Sequence, residues 1–166
     1  VGDCDSVSRA GLARAEAQGA RIERHPTTKD ATDLELALDA ALELEPRRIL
    51  VLGSAGGRLD HLLASLLLLG SDRYAGVELD AHLDGARAHV IRGERTLAGA
   101  TGELLSLLAL QRSAEGVSTS GLLYPLADET LHPGSSRGVS NVFTGSEARI
   151  AVRAGALLAV RPGEGS

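Results

Sequence analysis

Three short stretches of this chain carry residue types that can hold metal and phosphate: Gly2-Asp3-Cys4-Asp5-Ser6, Lys29-Asp30-Ala31-Thr32-Asp33, and Gly56-Gly57-Arg58-Leu59-Asp60-His61. Asp3, Asp5, Asp30, Asp33 and Asp60 all sit in turn-like positions beside small or phosphate-friendly residues. Carboxylate oxygens are hard donors suited to Mg²⁺, and a Gly-rich turn bearing an arginine can hold phosphate oxygens. Together they read as a magnesium-dependent phosphoryl-transfer enzyme.

Each stretch also has a purely structural explanation. Asp3 and Asp5 alternate around Cys4, so an extended backbone would turn both carboxylates to one side, toward a shared cation. The same pair serves equally as an N-cap that opens a helix at Ser6. Cys4, with a carboxylate on each side, is a packing residue, since neighbouring negative charge disfavours the thiolate. Asp33 in a first helical turn complements the helix dipole without any ligand, and that explanation carries more weight for the second stretch taken alone. Lys29 points the other way, because a lysine at a helix N-terminus is favourable only when an anion is also present. In the third stretch, Gly53-Ser54-Ala55-Gly56-Gly57-Arg58 follows an apolar strand and precedes a helix, the right place for a phosphate. It matches neither Gly-x-Gly-x-x-Gly nor a Walker loop, which weighs against a dinucleotide site. Arg58 can make bidentate phosphate contacts, while Asp60 and His61 suit a metal, a substrate hydrogen bond or the dipole alone.

These residues need elements to position them, and the first 83 residues alternate between helix and strand signals. A helix is expected from Ser6 to Gln18, a strand from Ala20 to Arg24, and a second helix after the capping box Thr32-x-x-Glu35, ended by Pro46. Arg48 to Leu52 has the composition of a buried parallel strand. Arg58 to Leu69 is apolar nearly all round, as in a helix buried on both sides, and Val77 to Leu83 closes the series. Strand–helix–strand order implies a parallel, Rossmann-like α/β sheet. After the turn Asp84-Gly85 the texture changes to short apolar runs: Ala88–Ile91, Leu104–Leu110, Gly121–Leu126, Ala148–Val152 and Ala156–Val160. These suggest an antiparallel β-sandwich. The expected division is therefore an α/β unit over residues 1–85 and an all-β unit over 86–166. In the second, Gly121-Leu-Leu-Tyr124-Pro-Leu126 and Gly138-Val-Ser140-Asn141 stand out, either as ligand contacts or as a core plug and a self-satisfied loop.

Composition narrows the classes. With one Phe, two Tyr and no Trp, the core must be built from Leu, Val and Ala. A net charge of −5 without a basic cluster argues against nucleic acid or anionic membranes as partners. The longest apolar run, Leu62 to Leu69, is too short for a bilayer, and one cysteine allows no internal disulfide. A cytoplasmic protein is the expectation. Val1 stands where Met would, and the chain opens directly on a motif, so a fragment lacking its natural N-terminus is expected.

In order and spacing these stretches resemble thiamine pyrophosphokinase. The resemblance runs from Gly2 to about Val160: Gly-Asp-x-Asp-Ser, Lys-Asp-x-Thr-Asp-x-Glu, Gly-Gly-Arg-x-Asp-His, Ser106-Leu-Leu-Ala-Leu110, Gly-Leu-x-Tyr-Pro-Leu and Gly-Val-Ser-Asn. It implies an α/β nucleotide-binding domain, here incomplete, followed by a β-sandwich that binds thiamine and dimerises. It implies an ATP-dependent diphosphotransferase that uses Mg²⁺ and converts thiamine to thiamine diphosphate with release of AMP, in homodimers with active sites between subunits. By the same resemblance Asp3, Asp5 and Asp33 fall on metal-binding carboxylates, Lys29, Thr32, Arg58 and His61 on the ATP side, and Asp60, Tyr124, Ser140 and Asn141 on the thiamine side. Cys4 stands where Phe is common, Ala109 where Pro is common, and Val142 where an acid is frequent. Family members begin with further strands and a Gly-rich turn bearing another aspartate, absent here, so this chain alone is not required to be active. The alternatives are a non-catalytic relative that kept the fold, or a pyrophosphokinase acting on another alcohol such as a pterin.

Overall fold

The computed structural model describes residues 1–4, 7–28, 30–54 and 57–163. Asp5, Ser6, Lys29 and the Ala55-Gly56 pair, all part of the motifs above, lie outside the described residues. The architecture is mostly β-sheet with few helices. The chain forms two compact units, Val1–Pro46 and Arg47–Ser166.

The first unit holds helices α1 (Arg9–Ala17) and α2 (Asp33–Leu42). Ser8 Oγ accepts from Gly11 N at the start of α1, so the cap is Ser8 rather than Ser6. Thr32 Oγ1 accepts from Glu35 N at 3.2 Å, as the capping box requires, and a cap of this kind stabilises a helix by about 1 kcal/mol. Helix α2 turns Leu38 inward, where it is fully buried. The strand expected over Ala20 to Arg24 reduces to one parallel bridge between Gly2 and Arg24, in which Gly2 N donates to Glu23 O and His25 N to Gly2 O. Helix α1 thus connects two parallel segments.

The second unit is a sheet in the order β1-β2-β3-β8-β4-β7, with β5 pairing β8 and β6. β1 (Arg48–Gly53) runs parallel to β2 (Glu78–Leu83), and helix α3 (Leu59–Leu69) lies between them in sequence. β2 then turns at Asp84-Gly85 into β3 (Ala86–Ala98), so one sheet continues through the expected domain boundary. β8 (Glu147–Arg161) is the spine. It pairs with β3 along nearly its whole length, and on its other edge with β5 (Ala114–Ser120) in its first half and β4 (Leu104–Ala109) in its second. Short strands β6 (Glu129–Leu131) and β7 (Asn141–Val142) flank β5 and β4. Ile91, Leu105, Leu107, Val117, Phe143, Ile150 and Leu157 fill the space enclosed by these strands. Each such side chain contributes roughly 1.5–3 kcal/mol of burial.

Several expectations need correction. Among the described residues β1 pairs only with β2 and is an edge, not a buried strand; Leu52 is 73% exposed. Likewise α3 is not buried on both sides, since Leu59, Leu63 and Leu67 are exposed. Gly121–Leu126 is no strand. Gly121 has a φ of +76° and Pro125 lacks an N–H, so the segment bends after a single bridge between Leu122 and Phe143. The runs Ala148–Val152 and Ala156–Val160 are one strand, carried through Gly155 at a β3/β8 irregularity. Among the described residues no helix is long and apolar enough to cross a membrane.

Where β1, β2 and β3 meet, the fold buries a charge. Asp80 on β2 is fully buried. His89 of β3, its cross-strand partner, lies 2.9 Å away through Nδ1. Arg95 Nη1 donates to Asp80 Oδ1 at 2.9 Å, and Arg48 Nε to Oδ2 at 3.0 Å. Burial pushes the Asp80 carboxyl up, but the hydrogen bonds of His89, Arg95 and Arg48 outweigh it and hold the group far below the usual carboxylate range.

Candidate functional site

In the first unit, one of the candidate metal residues, Asp33, rests against the glycine that precedes another, Asp3. Gly2 is buried at a φ of +130°, and a methyl group there would fall 2.5 Å from Asp33 Cγ and 2.6 and 2.8 Å from its oxygens. The Asp33 carboxylate therefore lies directly against the Gly2 backbone, next to Asp3. Asp33 starts α2, and the Gly2–Arg24 bridge fixes the segment beside it. The extended backbone expected between Asp3 and Asp5 is not found. Cys4 takes a φ of +61°, and its Sγ turns back to Gly2 O at 3.7 Å. Among the described residues no three His, Cys, Asp or Glu side chains gather as a metal cluster; Asp5, the third expected ligand, lies outside them. What the structure does show is Asp33, a hard oxygen donor of the kind Mg²⁺ takes, against Gly2, the residue before Asp3. Thr32 is the α2 cap, with its oxygen on Glu35 N. Lys29 lies outside the described residues.

This geometry gives a first expected result. Gly2→Ala combines a left-handed backbone with a clash against a carboxylate fixed on a helix end, and costs roughly 1–3 kcal/mol. Thermal unfolding should show the loss. Gly2→Ala with wild-type stability would mean that Asp33 does not rest against Gly2.

In the second unit, the phosphate-type residues gather at the carboxyl end of β1. Arg58 is the N-cap residue of α3, and its extended backbone carries the chain from Gly57 into the helix. Its Nη2 donates to Asp60 Oδ2 at 2.6 Å and its Nε to Oδ1 at 3.2 Å, a two-point ion pair. That pairing with Arg58 lowers the Asp60 carboxyl to about 2, so Asp60 is ionised at neutral pH and is a weak base. Both residues are exposed. His61 is exposed on the same turn, and its carbonyl accepts from Ser65 Oγ. Beside this turn Ser54 Oγ donates to Asp84 Oδ2 at 2.7 Å, tying the end of β1 to the end of β2. Sequence reading passed over this contact; a serine inside a Gly-rich turn and an acid inside a hairpin turn give no sign of each other.

A cavity of about 360 Å³ lies elsewhere in the second unit, lined by Tyr124, residues 135–139 and Asn141. Tyr124 is 56% exposed at its edge. The 135–139 loop is drawn onto β4 at Gly138, whose carbonyl accepts from Leu107 N at 2.8 Å. Gly138 has a φ of +100°, and a side chain there would meet Leu107 O at 2.7 Å. Ser140 follows at a φ of +57°, exposed, with its N donating to Ser106 Oγ. Asn141 is only 2% exposed. Arg137, which the sequence reading did not single out, lines the cavity and pairs through Nε and Nη2 with Glu129 at 3.0 and 2.8 Å. That pairing lowers the Glu129 carboxyl.

Comparison with known proteins covers both units. The signature described as thiamin pyrophosphokinase, catalytic domain, matches residues 1–79, and that described as thiamin pyrophosphokinase, vitamin B1 binding domain, matches residues 88–157. Thiamine pyrophosphokinase of Bacillus subtilis is 30% identical over 96% of this chain and 76% of its own length. Its crystal structure is similar with a TM-score of 0.82 at 26% identity, over 98% of this chain and 77% of that one. A thiamin pyrophosphokinase family protein of Enterococcus faecalis matches with a TM-score of 0.82 at 27% identity, over 99% and 79% of the two chains.

Proposed function

The chain belongs to the thiamin pyrophosphokinase family, and we infer that it is an ATP-dependent diphosphotransferase converting thiamine to thiamine diphosphate with release of AMP. The observation that carries the reading is the Arg58–Asp60 pair at the start of α3, the helix that follows the parallel strand β1 after a Gly-rich stretch of sequence.

The residues divide by task. Asp3 and Asp33, with Asp5 from the same motif, would hold Mg²⁺. When bound, that ion supplies charge neutralisation for the diphosphoryl oxygens. Lys29 and Thr32 belong to the nucleotide side, as does His61. Arg58 offers a planar fork to the transferring group, and an arriving phosphate takes over hydrogen bonds that Asp60 now accepts. Asp60, ionised and a weak base, acts as an acceptor that orients the attacking hydroxyl. Tyr124 and Ser140 stand at the thiamine side, where an aromatic face suits a cationic ring. A Rossmann-like α/β domain over residues 1–85 and a thiamine-binding sandwich over 86–166 belong to the same reading, supported by the parallel pairing of β1 with β2 and by the two matched signatures. So does a homodimer in which each subunit lends its sandwich cavity to the other. A cytoplasmic location, where ATP is available, completes it.

The test is turnover of ATP and thiamine with Mg²⁺, following AMP and thiamine diphosphate. Both should form in equal amounts, and chelation should abolish the reaction. Tyr124→Ala should raise the thiamine KM about tenfold and leave the ATP KM within about twofold, as the loss of roughly 1.4 kcal/mol of ring contact requires. AMP release with a pterin alcohol and not with thiamine would overturn the substrate. Binding of both substrates without turnover would overturn the enzyme.

A further inference from the structure

Asn141 sits in the motif that the resemblance assigns to thiamine, yet its amide faces the protein. The side chain is 2% exposed, and its oxygen accepts from Tyr124 N at 3.0 Å and from Val142 N at 2.9 Å. Its amide nitrogen donates to Tyr124 O at 2.7 Å. The carboxamide thus pairs with both backbone groups of one residue, as a neighbouring strand would.

The reason lies in the pairing around it. Residues 121–123 run against residues 142–144 through the Leu122–Phe143 bridge, with Leu123 N on Val142 O and Thr144 N on Gly121 O. One step further, that ladder has no backbone partner for Tyr124, because Asn141 is already paired with Leu105 of β4. Pro125 next in line has no N–H to offer. The Asn141 side chain supplies the missing partner, and buried amide groups left unpaired would otherwise cost about 1–3 kcal/mol. The backbone of Tyr124 is thereby fixed while the residue remains 56% exposed and lines the cavity.

We infer that Asn141 is a positioning residue: it holds the Tyr124 backbone so that the ring stands ready over the cavity, and acts on thiamine only through Tyr124. This rests on the assignment of that cavity to thiamine. Its mark is non-additivity, since residues that act as a unit do not contribute independently.

The experiment is a double-mutant cycle on the full chain with Asn141→Asp and Tyr124→Ala. Asn141→Asp is nearly isosteric and keeps the acceptor for Tyr124 N and Val142 N, but loses the donor to Tyr124 O. Alone it should raise the thiamine KM about five- to tenfold, with the ATP KM unchanged. In the Tyr124→Ala background it should add less than about twofold. Tyrosine emission gives a second readout, because the chain has no Trp and Tyr74, its other tyrosine, is fully buried. Quenching by acrylamide should therefore report Tyr124 and change in Asn141→Asp. Effects on the thiamine KM that multiply would show a direct contact and overturn the proposal. So would a fall in melting temperature with both KM values and the quenching unchanged, the mark of a purely structural residue. Wild-type chain that turns over ATP without thiamine would instead overturn the assignment of the cavity, and this role with it.

Discussion

Arg58→Ala is expected to lower turnover of ATP and thiamine by about 10²-fold or more while leaving the fold intact. Removing one preorganised donor from a transferring oxyanion typically has that effect. The fold should tolerate the change because the Arg58–Asp60 pair is exposed on both sides, and exposed pairs contribute little to stability. Melting temperature should move by less than about 2 °C. Arg58→Lys should not restore the rate, since a single ammonium cannot reproduce the two-point geometry seen with Asp60. Unchanged turnover in Arg58→Ala would remove the arginine from the mechanism. A large fall in melting temperature would give it a structural role.

Asp80→Ala is expected to do the opposite, removing stability first. Arg95 and His89 are the partners that matter, with side chains only 15% and 10% exposed, whereas Arg48 is 55% exposed and can return to water. Leaving buried Arg95 without its counter-charge, and His89 without its hydrogen-bond partner, costs about 3–5 kcal/mol, which for a chain of this size lowers the melting temperature by roughly 6–20 °C. A pH profile of unfolding tests the cause. The folded Asp80 carboxyl titrates below its unfolded value of about 3.9, so its contribution is complete above that pH and is lost as pH falls below it. Wild-type stability should decline below about pH 4, and Asp80→Asn should flatten that part of the curve. Equal slopes for the two would show that the network is not what acid disrupts.

These two residues mark how far the sequence could be read. Arg58 was visible because its chemistry is local: two glycines before it, a helix after it, an acid two residues on. Thr32 and Glu35 were visible for the same reason, and α2 begins where their capping box puts it. Asp80 was not, since positions 48, 80, 89 and 95 meet only once β1, β2 and β3 are paired. β5 escaped notice because its outward residues are polar and its Gly116 breaks the apolar rhythm. The charged half of β3, Arg92 to Thr96, hid for a similar reason, with Glu94 and Arg95 answered by Arg149 across the sheet and by Asp80 and Glu78. The exposure of β1 and α3 was misjudged because apolar composition says that a segment is suited to burial, not that this chain supplies the cover. Asn141 was found for its position while its direction stayed open, because the side chain of a loop asparagine can face a ligand or its own backbone.

β8 has a consequence for how the chain reaches its structure. One C-terminal strand, Glu147–Arg161, is the shared partner of β3, β4 and β5. During synthesis those three leave the ribosome with apolar faces and open edges, and must wait for β8 before any of them is paired on that side. The pairing of Arg87 with Arg161 spans more than half of the second unit, and closing such long loops makes folding slow. Until β8 arrives, the open edges of β3, β4 and β5 are templates for pairing with other chains. The nascent second unit is therefore at its most aggregation-prone just before β8 emerges, and its folding is gated by the arrival of that strand.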